Sequence, residues 1–201
     1  MWKAFSGMAV LAAGLVAAAP VSSSARELSV PPVKSEQTIV LAGGCFWGVQ
    51  SVFEHTKGVT SAVSGYAGGS VDSPSYELVS TGRTGHAESV KVTFDTTQIS
   101  LNQILQIFFS VAHDPTELNH QGPDVGTQYR SMIDYTSDAQ KAQVTSYIAQ
   151  LEKAHTYSKP IVTQVVAYKN FFPAEAYHQH YAELHPTQPY IAMYDLPKVA
   201  N

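Results

Sequence analysis

The chain has one cysteine in 201 residues, set in Ala42-Gly43-Gly44-Cys45-Phe46-Trp47-Gly48 between a glycine pair and two adjacent aromatics. Residues 38–41 (Thr-Ile-Val-Leu) form an apolar run that predicts a buried strand, and Val49, Val52 and Phe53 then recur at helical spacing. Strand must therefore become helix within a few residues, which demands a sheet with a helix packed on it. Cys45 then falls on or beside the first helical turn. Unpaired N–H groups and the helix dipole stabilise negative charge there, so the position predicts a thiol pKa below the ordinary ~8.5. Gly43 and Gly44 leave the sulfur approachable, and Phe46 and Trp47 can wall an apolar pocket beside it. The stretch reads as a nucleophile's setting. The alternative is an inert buried thiol, and the flanking residues count against it.

Residues 1–25 read as a secretory signal peptide: Lys3, an apolar run over 8–19, then Ser23-Ser24-Ala25 as a small-x-small cleavage pattern. An uncleaved anchor is the second reading. The run is short for a membrane-spanning helix of ~20 residues, and no other stretch of the sequence is long and apolar enough. The mature protein is therefore expected to be exported, periplasmic or secreted, without stable membrane insertion. Residues 26–36, polar and containing Pro31-Pro32, read as a flexible lead-in. Residues 37–201 suffice for one domain with its own core. The net charge is −4, and one unit more negative once Lys3 leaves, which gives no support to nucleic-acid or anionic-membrane binding. An exported chain with one cysteine has no internal disulfide, so the thiol either reacts or pairs with another molecule.

Along the domain, a helix to about His55 is followed by a strand and glycine loop over 59–69. A short helix over 75–80 is capped by Ser73 or Ser75. The turn at 82–85 lacks a phosphate-loop pattern. Residues 87–95 alternate, with Val90, Val92 and Phe94 on one face, and are the clearest strand. Residues 101–112 predict a helix capped by Ser100. Residues 113–128 form a long loop of the kind that carries function. Strands are expected over 129–135 and 161–168, helices over 137–155 and 174–185, and an irregular tail from Pro186. Strands and helices in this order suggest one α+β or α/β domain.

Gly-Cys-Phe-Trp-Gly at 44–48 resembles the active-site signature of the class A peptide methionine sulfoxide reductases. Three further segments match in order: Tyr76 in 74–82; Glu88 in Thr84-Gly85-His86-Ala87-Glu88-Ser89-Val90; and Asp124 and Tyr129 in 124–131. Residues 171–181 (Phe-Phe-Pro-Ala-Glu-Ala-Tyr-His-Gln-His-Tyr) resemble the family's C-terminal helix. The resemblance runs from about 37 to 197. It implies a single α+β domain, a two-layer sandwich of a mixed β-sheet with helices. It implies thiol-dependent reduction of the S epimer of methionine sulfoxide, free or in proteins, with no cofactor besides an external thiol reductant. It makes oxidised proteins or peptides the substrate, and a thioredoxin-like protein or a small thiol the reductant, for a chain expected to be a monomer.

The chemistry can be argued from the residues. Reducing a sulfoxide needs a thiolate aimed at sulfur and an acid for the departing oxygen; Cys45 supplies the first. Glu88 shares the parity of Val90, Val92 and Phe94, which points it inward, where burial keeps a carboxyl protonated. Otherwise it is a solvent-facing strand acid. Tyr76 and Tyr129 offer phenol donors to the oxygen, or are ordinary core tyrosines. Asp124 orients groups or accepts a bond from substrate backbone, or forms an Asx turn. Phe46 and Trp47 take the substrate methyl, or simply pack. The family also contributes a tyrosine from its last helix and tail, for which Tyr181 matches better and Tyr190 weakly.

Two other classes compete. A Cys-His hydrolase or acyltransferase would pair Cys45 with a distant histidine such as His86, and a non-catalytic module would bind oxidised methionine without turnover. His178, His180 and His185 fit no standard zinc spacing, and no metal is expected.

Overall fold

The structure is a computed structural model that describes residues 35–200. The signal-peptide reading of residues 1–25, and all but the last residues of the lead-in, lie outside the described residues.

Among the described residues, eight strands and six α-helices follow one another along the chain. β1 (Glu36–Ala42) leads into α1 (Phe46–Glu54), then β2 (Val59–Ala67), α2 (Tyr76–Ser80), β3 (Ala87–Asp95) and α3 (Leu101–Ile107). A short hairpin, β4 (His120–Gln121) and β5 (Asp124–Val125), precedes β6 (Met132–Tyr135), α4 (Asp138–Lys153), β7 (Gln164–Ala167) and β8 (Phe171–Pro173). α5 (Tyr181–Leu184) and α6 (Leu196–Val199) close the chain. Six strands form one mixed sheet in the order β7-β6-β1-β3-β2-β8, antiparallel except where β6 runs parallel to β7.

The register decides the layers. Ile39 and Leu41 oppose Val92 and Val90, and Leu41 also opposes Ile133, so these apolar residues share one face. Val49, Val52 and Phe53 of α1, Ile104 and Leu105 of α3, and Val144 of α4 pack on that face into the main core. The other face carries a smaller cluster of Val40, Ala42, Ala67, Ala87 and Met132. This is a mixed sheet with its helices on one side: one α+β domain, as expected. Each fully buried aliphatic side chain in the core contributes about 1.5–3 kcal/mol. The Ser100 cap is a full capping box with Gln103, and Ser75 rather than Ser73 caps α2.

Three expectations need correction. The helix expected over 101–112 is α-helical only to Ile107 and continues as one π-helical turn, Phe108–Ala112. The loop at 113–128 contains the β4–β5 hairpin. The helix expected over 174–185 is broken. Phe171–Pro173 joins the sheet edge, Ala176–His178 makes a 3₁₀ turn, His180 is left-handed, and only Tyr181–Leu184 is α-helical. The interruption has a cause in side chains that compete for the backbone. Ala174 donates to Ser64 O, the Gln179 amide bonds Ser64 and Ala174 carbonyls, and Gln50 Oε1 accepts from His180 N–H at 3.2 Å.

Candidate active site

Cys45 is the N-cap of α1, reached through Gly44 at φ +91°. A Cβ on Gly44 would lie 2.5 Å from the Gln121 side chain, and one on Gly43 2.8 Å from the His113 ring. Packing therefore disfavours a side chain at both positions, and the turn itself calls for glycine at Gly44. The sulfur is not open to solvent: Cys45 is 8 % exposed.

That burial reverses the expected acidity. The Trp47 backbone N–H at the helix start favours thiolate, although the Cys45 side chain makes no cap hydrogen bond to the helix. Desolvation outweighs it, and Glu88, Asp195 and Asp124 add negative charge, so the thiol pKa is pushed well above its ordinary value. One amide dipole does not compensate a dry site holding three carboxyls.

Glu88 lies where its parity placed it, buried on the helix-bearing face and opposite Tyr66. Phe46 N–H donates to Glu88 Oε2 at 3.1 Å, which ties the strand acid to the residue after Cys45. Burial raises the Glu88 pKa to about 8; the Phe46 bond opposes this, and Asp124 and Asp195 reinforce it. At neutral pH Glu88 is an acid with a proton to give.

The tyrosines gather round this pair. Tyr76 opens α2, and its backbone N–H is fixed by Glu175 Oε1 at 3.0 Å. Burial raises its phenol pKa, with Glu88 and Cys45 adding to the rise. Tyr129 stands in a 3₁₀ turn, Thr127–Tyr129; burial, then Glu88 and Asp124, raise its pKa as well. Both phenols stay protonated donors. Asp124, at the start of β5, accepts a hydrogen bond from the Tyr190 hydroxyl.

Phe46 and Trp47 form the apolar wall. Phe46 is buried against Tyr66 and His178, with ring centroids 5.9 and 5.1 Å apart. Trp47 stacks on Tyr181 at 3.9 Å and meets Tyr190 edge-on at 6.3 Å. Its indole N–H donates to His178 Nδ1 at 3.1 Å. The two tail tyrosines thus separate: Tyr181 backs the wall, and the weakly matching Tyr190 reaches the polar end.

Three side chains were missed from sequence. His178, which the sequence offers only as one of a histidine group, accepts the Trp47 indole N–H and its ring lies 4.3 Å from the Tyr76 ring. Glu175 links the last segment to Tyr66 Oη (2.8 Å) and to Tyr76. Asp195 comes from the tail read as irregular and is fully buried. Burial lifts its pKa to about 6, against the pull of Lys198 3.5 Å away. Pro173 before a helical-looking run is a helix-start signal and gives no warning of the break at Gln179–His180; nothing in the tail's pattern singles out Asp195.

His86 does not supply a base to Cys45. Its Nδ1 accepts from Gly69 N–H at 3.2 Å and its Nε2 bonds Val71 O at 2.8 Å, so both ring nitrogens are occupied away from the thiol. The Cys-His hydrolase reading loses its dyad.

Known proteins resemble the chain in sequence and in fold. The family model for peptide methionine sulfoxide reductase matches residues 37–201. The chain is 59 % identical over 165 residues to peptide methionine sulfoxide reductase MsrA 2 of Mesorhizobium japonicum, covering 82 % of this chain and 85 % of that one. It is 52 % identical to the Trichodesmium erythraeum MsrA, covering 81 % and 91 %. Among solved structures, reduced Mxr1 of Saccharomyces cerevisiae superposes with a TM-score of 0.72 at 36 % identity, covering 78 % and 89 %. The chain belongs to the peptide methionine sulfoxide reductase family and is an oxidoreductase that reduces methionine sulfoxide.

Proposed function

We propose that Cys45 is the nucleophile and Glu88 the general acid of this reduction. The observation that carries the assignment is the Phe46 N–H to Glu88 Oε2 bond at 3.1 Å, which fixes an acid of pKa about 8 beside the first turn that bears the thiol. The substrate methyl lies against Phe46 and Trp47, backed by Tyr181. Tyr76 and Tyr129 donate to the sulfoxide oxygen, and Asp124, held by Tyr190, accepts from substrate backbone.

The raised pKa values of thiol and carboxyl suit the proton balance. Sulfur of Cys45 attacks the sulfoxide sulfur as Glu88 protonates the oxygen. The thiol proton restores Glu88, the oxygen passes to Cys45 as a sulfenic acid, and methionine leaves. One S–H and one S=O become one S–O–H and one thioether, with no net charge change in a site where charge is costly. An outside thiol then attacks the sulfenic acid, water leaves, and a second thiol releases Cys45 from the mixed disulfide. A dithiol protein suits this step: the yeast relative Mxr1 has been crystallised in complex with Trx2.

The S-epimer preference rests on family membership, one enzyme serving each epimer. Export to the periplasm or outside rests on the sequence pattern of residues 1–25. The test is single-turnover methionine release from each sulfoxide epimer. Cys45→Ser is expected to abolish it with the fold intact; turnover above a few per cent in that variant refutes the nucleophile.

A further inference from the structure

We propose that the sheet face turned away from the helices binds a small zwitterionic α-amino acid, its ammonium group on Asp134 and its carboxylate on Arg130 and Lys169. The site is a cavity of about 160 Å³ whose lining includes Arg130, Met132, Asp134, Val166 and Lys169. Arg130, Met132 and Asp134 are alternate residues at and just before β6, so they share a face. Ile133, between them, joins the main core, while Met132 and Val166 belong to the smaller cluster on the other side.

Asp134 is the group that points to a ligand. It is 1 % exposed, and its Oδ1 is buried without a hydrogen-bond partner among the described residues. A carboxyl left so is costly, and burial lifts its pKa to about 7 against the pull of Arg130. That guanidinium is committed elsewhere. Nε donates to Gln164 Oε1 at 3.2 Å, Nη1 to the Thr127 carbonyl at 2.9 Å and Nη2 to the Gly85 carbonyl at 3.0 Å. Three of its five N–H groups are thus spent on oxygens, and a fourth faces only the Met132 sulfur at 3.6 Å. The remainder suits a carboxylate. Gly68 keeps this approach open: its φ is +77°, and a Cβ there would lie 2.9 Å from Arg130 Nη2. Acid and guanidinium therefore flank the apolar Met132, with the exposed Lys169 at the mouth. A simple cation would be repelled by Arg130 and Lys169, and a simple anion by Asp134. A head group carrying both charges satisfies both ends, and the volume leaves room for only a small side chain.

The test titrates L-alanine into isotope-labelled protein and follows amide chemical shifts, with methylammonium chloride and sodium acetate as half-ligands at matched ionic strength. Saturable one-to-one binding is expected, with shifts centred on the cavity-lining residues of 68–69, 130–134 and 164–170. Each half-ligand should bind at least about tenfold more weakly, having lost one charged hydrogen-bonding end. Asp134→Asn keeps the shape of the side chain and should weaken alanine binding at least about tenfold. It should leave sulfoxide reduction unchanged, because Asp134 lies on the sheet face opposite α1. Lys169→Gln changes an exposed residue that the fold does not depend on, and should weaken binding severalfold. Unchanged affinity in either variant, a half-ligand that binds as well as alanine, or no saturation at high millimolar alanine overturns the site.

Discussion

The Phe46 N–H donates to Glu88 Oε2 across 3.1 Å, so the start of α1 and the start of β3 are held as one rigid unit. The bond uses one carboxyl oxygen and leaves the other to carry the proton toward substrate. It also sets a conflict between stability and activity. Folded Glu88 keeps its proton up to about pH 8, whereas in an unfolded chain it ionises near 4.3. The folded state binds more protons across that window, so Glu88 costs stability progressively as pH rises through it.

Glu88→Gln removes both the acid and the cost. Single-turnover methionine release is expected to fall roughly 10²–10⁴-fold, the usual worth of general acid catalysis. The variant's melting temperature should exceed the parent's at about pH 8 and lose that advantage at about pH 5. Thermal scans at both values, beside rapid-quench kinetics, check the pair. An unchanged release rate would reduce Glu88 to a structural role.

The fold and half the site were legible because their signals are local. The alternation from Ala87 to Asp95 set the inward side of β3, and with it the burial of Glu88, without knowledge of the partner strands. The glycine pair before Cys45 marked the turn for the same reason. What failed depended on long-range contacts. The acidity of Cys45 was inferred from the helix start alone, while Asp195, 150 residues away in sequence, sits among the groups that overturn it. Residues 174–185 carry helical spacing, yet Ser64 and Gln50, from elements far upstream, take the Ala174 and His180 backbone N–H groups. The role of Tyr190 turns on a hydroxyl that meets Asp124 only in the folded chain.

Gly48 tests how closely the tail is seated on the helix that Cys45 caps. A Cβ there would lie 2.2 Å from Asp195 Oδ1 and 3.2 Å from Lys198 Nζ. Gly48→Ala gains up to about 1 kcal/mol of helix propensity, but overpacking costs about 1–3 kcal/mol and the obstructing carboxylate is fully buried. The clash should win, giving a net loss of about 1–2 kcal/mol by urea titration. Cys45 should also alkylate faster with iodoacetamide at neutral pH, because displacing Asp195 removes one of the charges that holds its proton. A more stable variant with unchanged alkylation would show that the tail is loosely held.

The two tail tyrosines separate by a single oxygen each. Tyr190→Phe leaves Asp124 without its phenol donor, and a hydrogen bond to a charged group is worth about 1.5–3 kcal/mol. A fall of roughly 10–100-fold in kcat/KM follows. Tyr181→Phe keeps the stacked ring against Trp47 and should stay within about twofold, since no ring contact is lost. Steady-state kinetics on both variants decide the matter; the reverse order of effects would move the polar end of the site to Tyr181.

The last prediction comes from the single cysteine. A sulfenic acid on Cys45 has no second thiol in the chain to attack it, so an intramolecular disulfide cannot form, and the oxidised sulfur must wait for an outside thiol. Its burial protects it in the meantime, as Cys45 is 8 % exposed, and over-oxidation requires an accessible sulfenate. Incubated with excess methionine sulfoxide and no reductant, the protein should release one equivalent of methionine and stop. Intact mass should then show one added oxygen without loss of two hydrogens, and dimedone should label Cys45. Adding a thiol restores turnover at a rate set by that thiol's attack on the sulfenic acid. A second equivalent of methionine formed without any added thiol would refute the scheme, because no other group in the chain can accept the oxygen and return Cys45 to its reduced state.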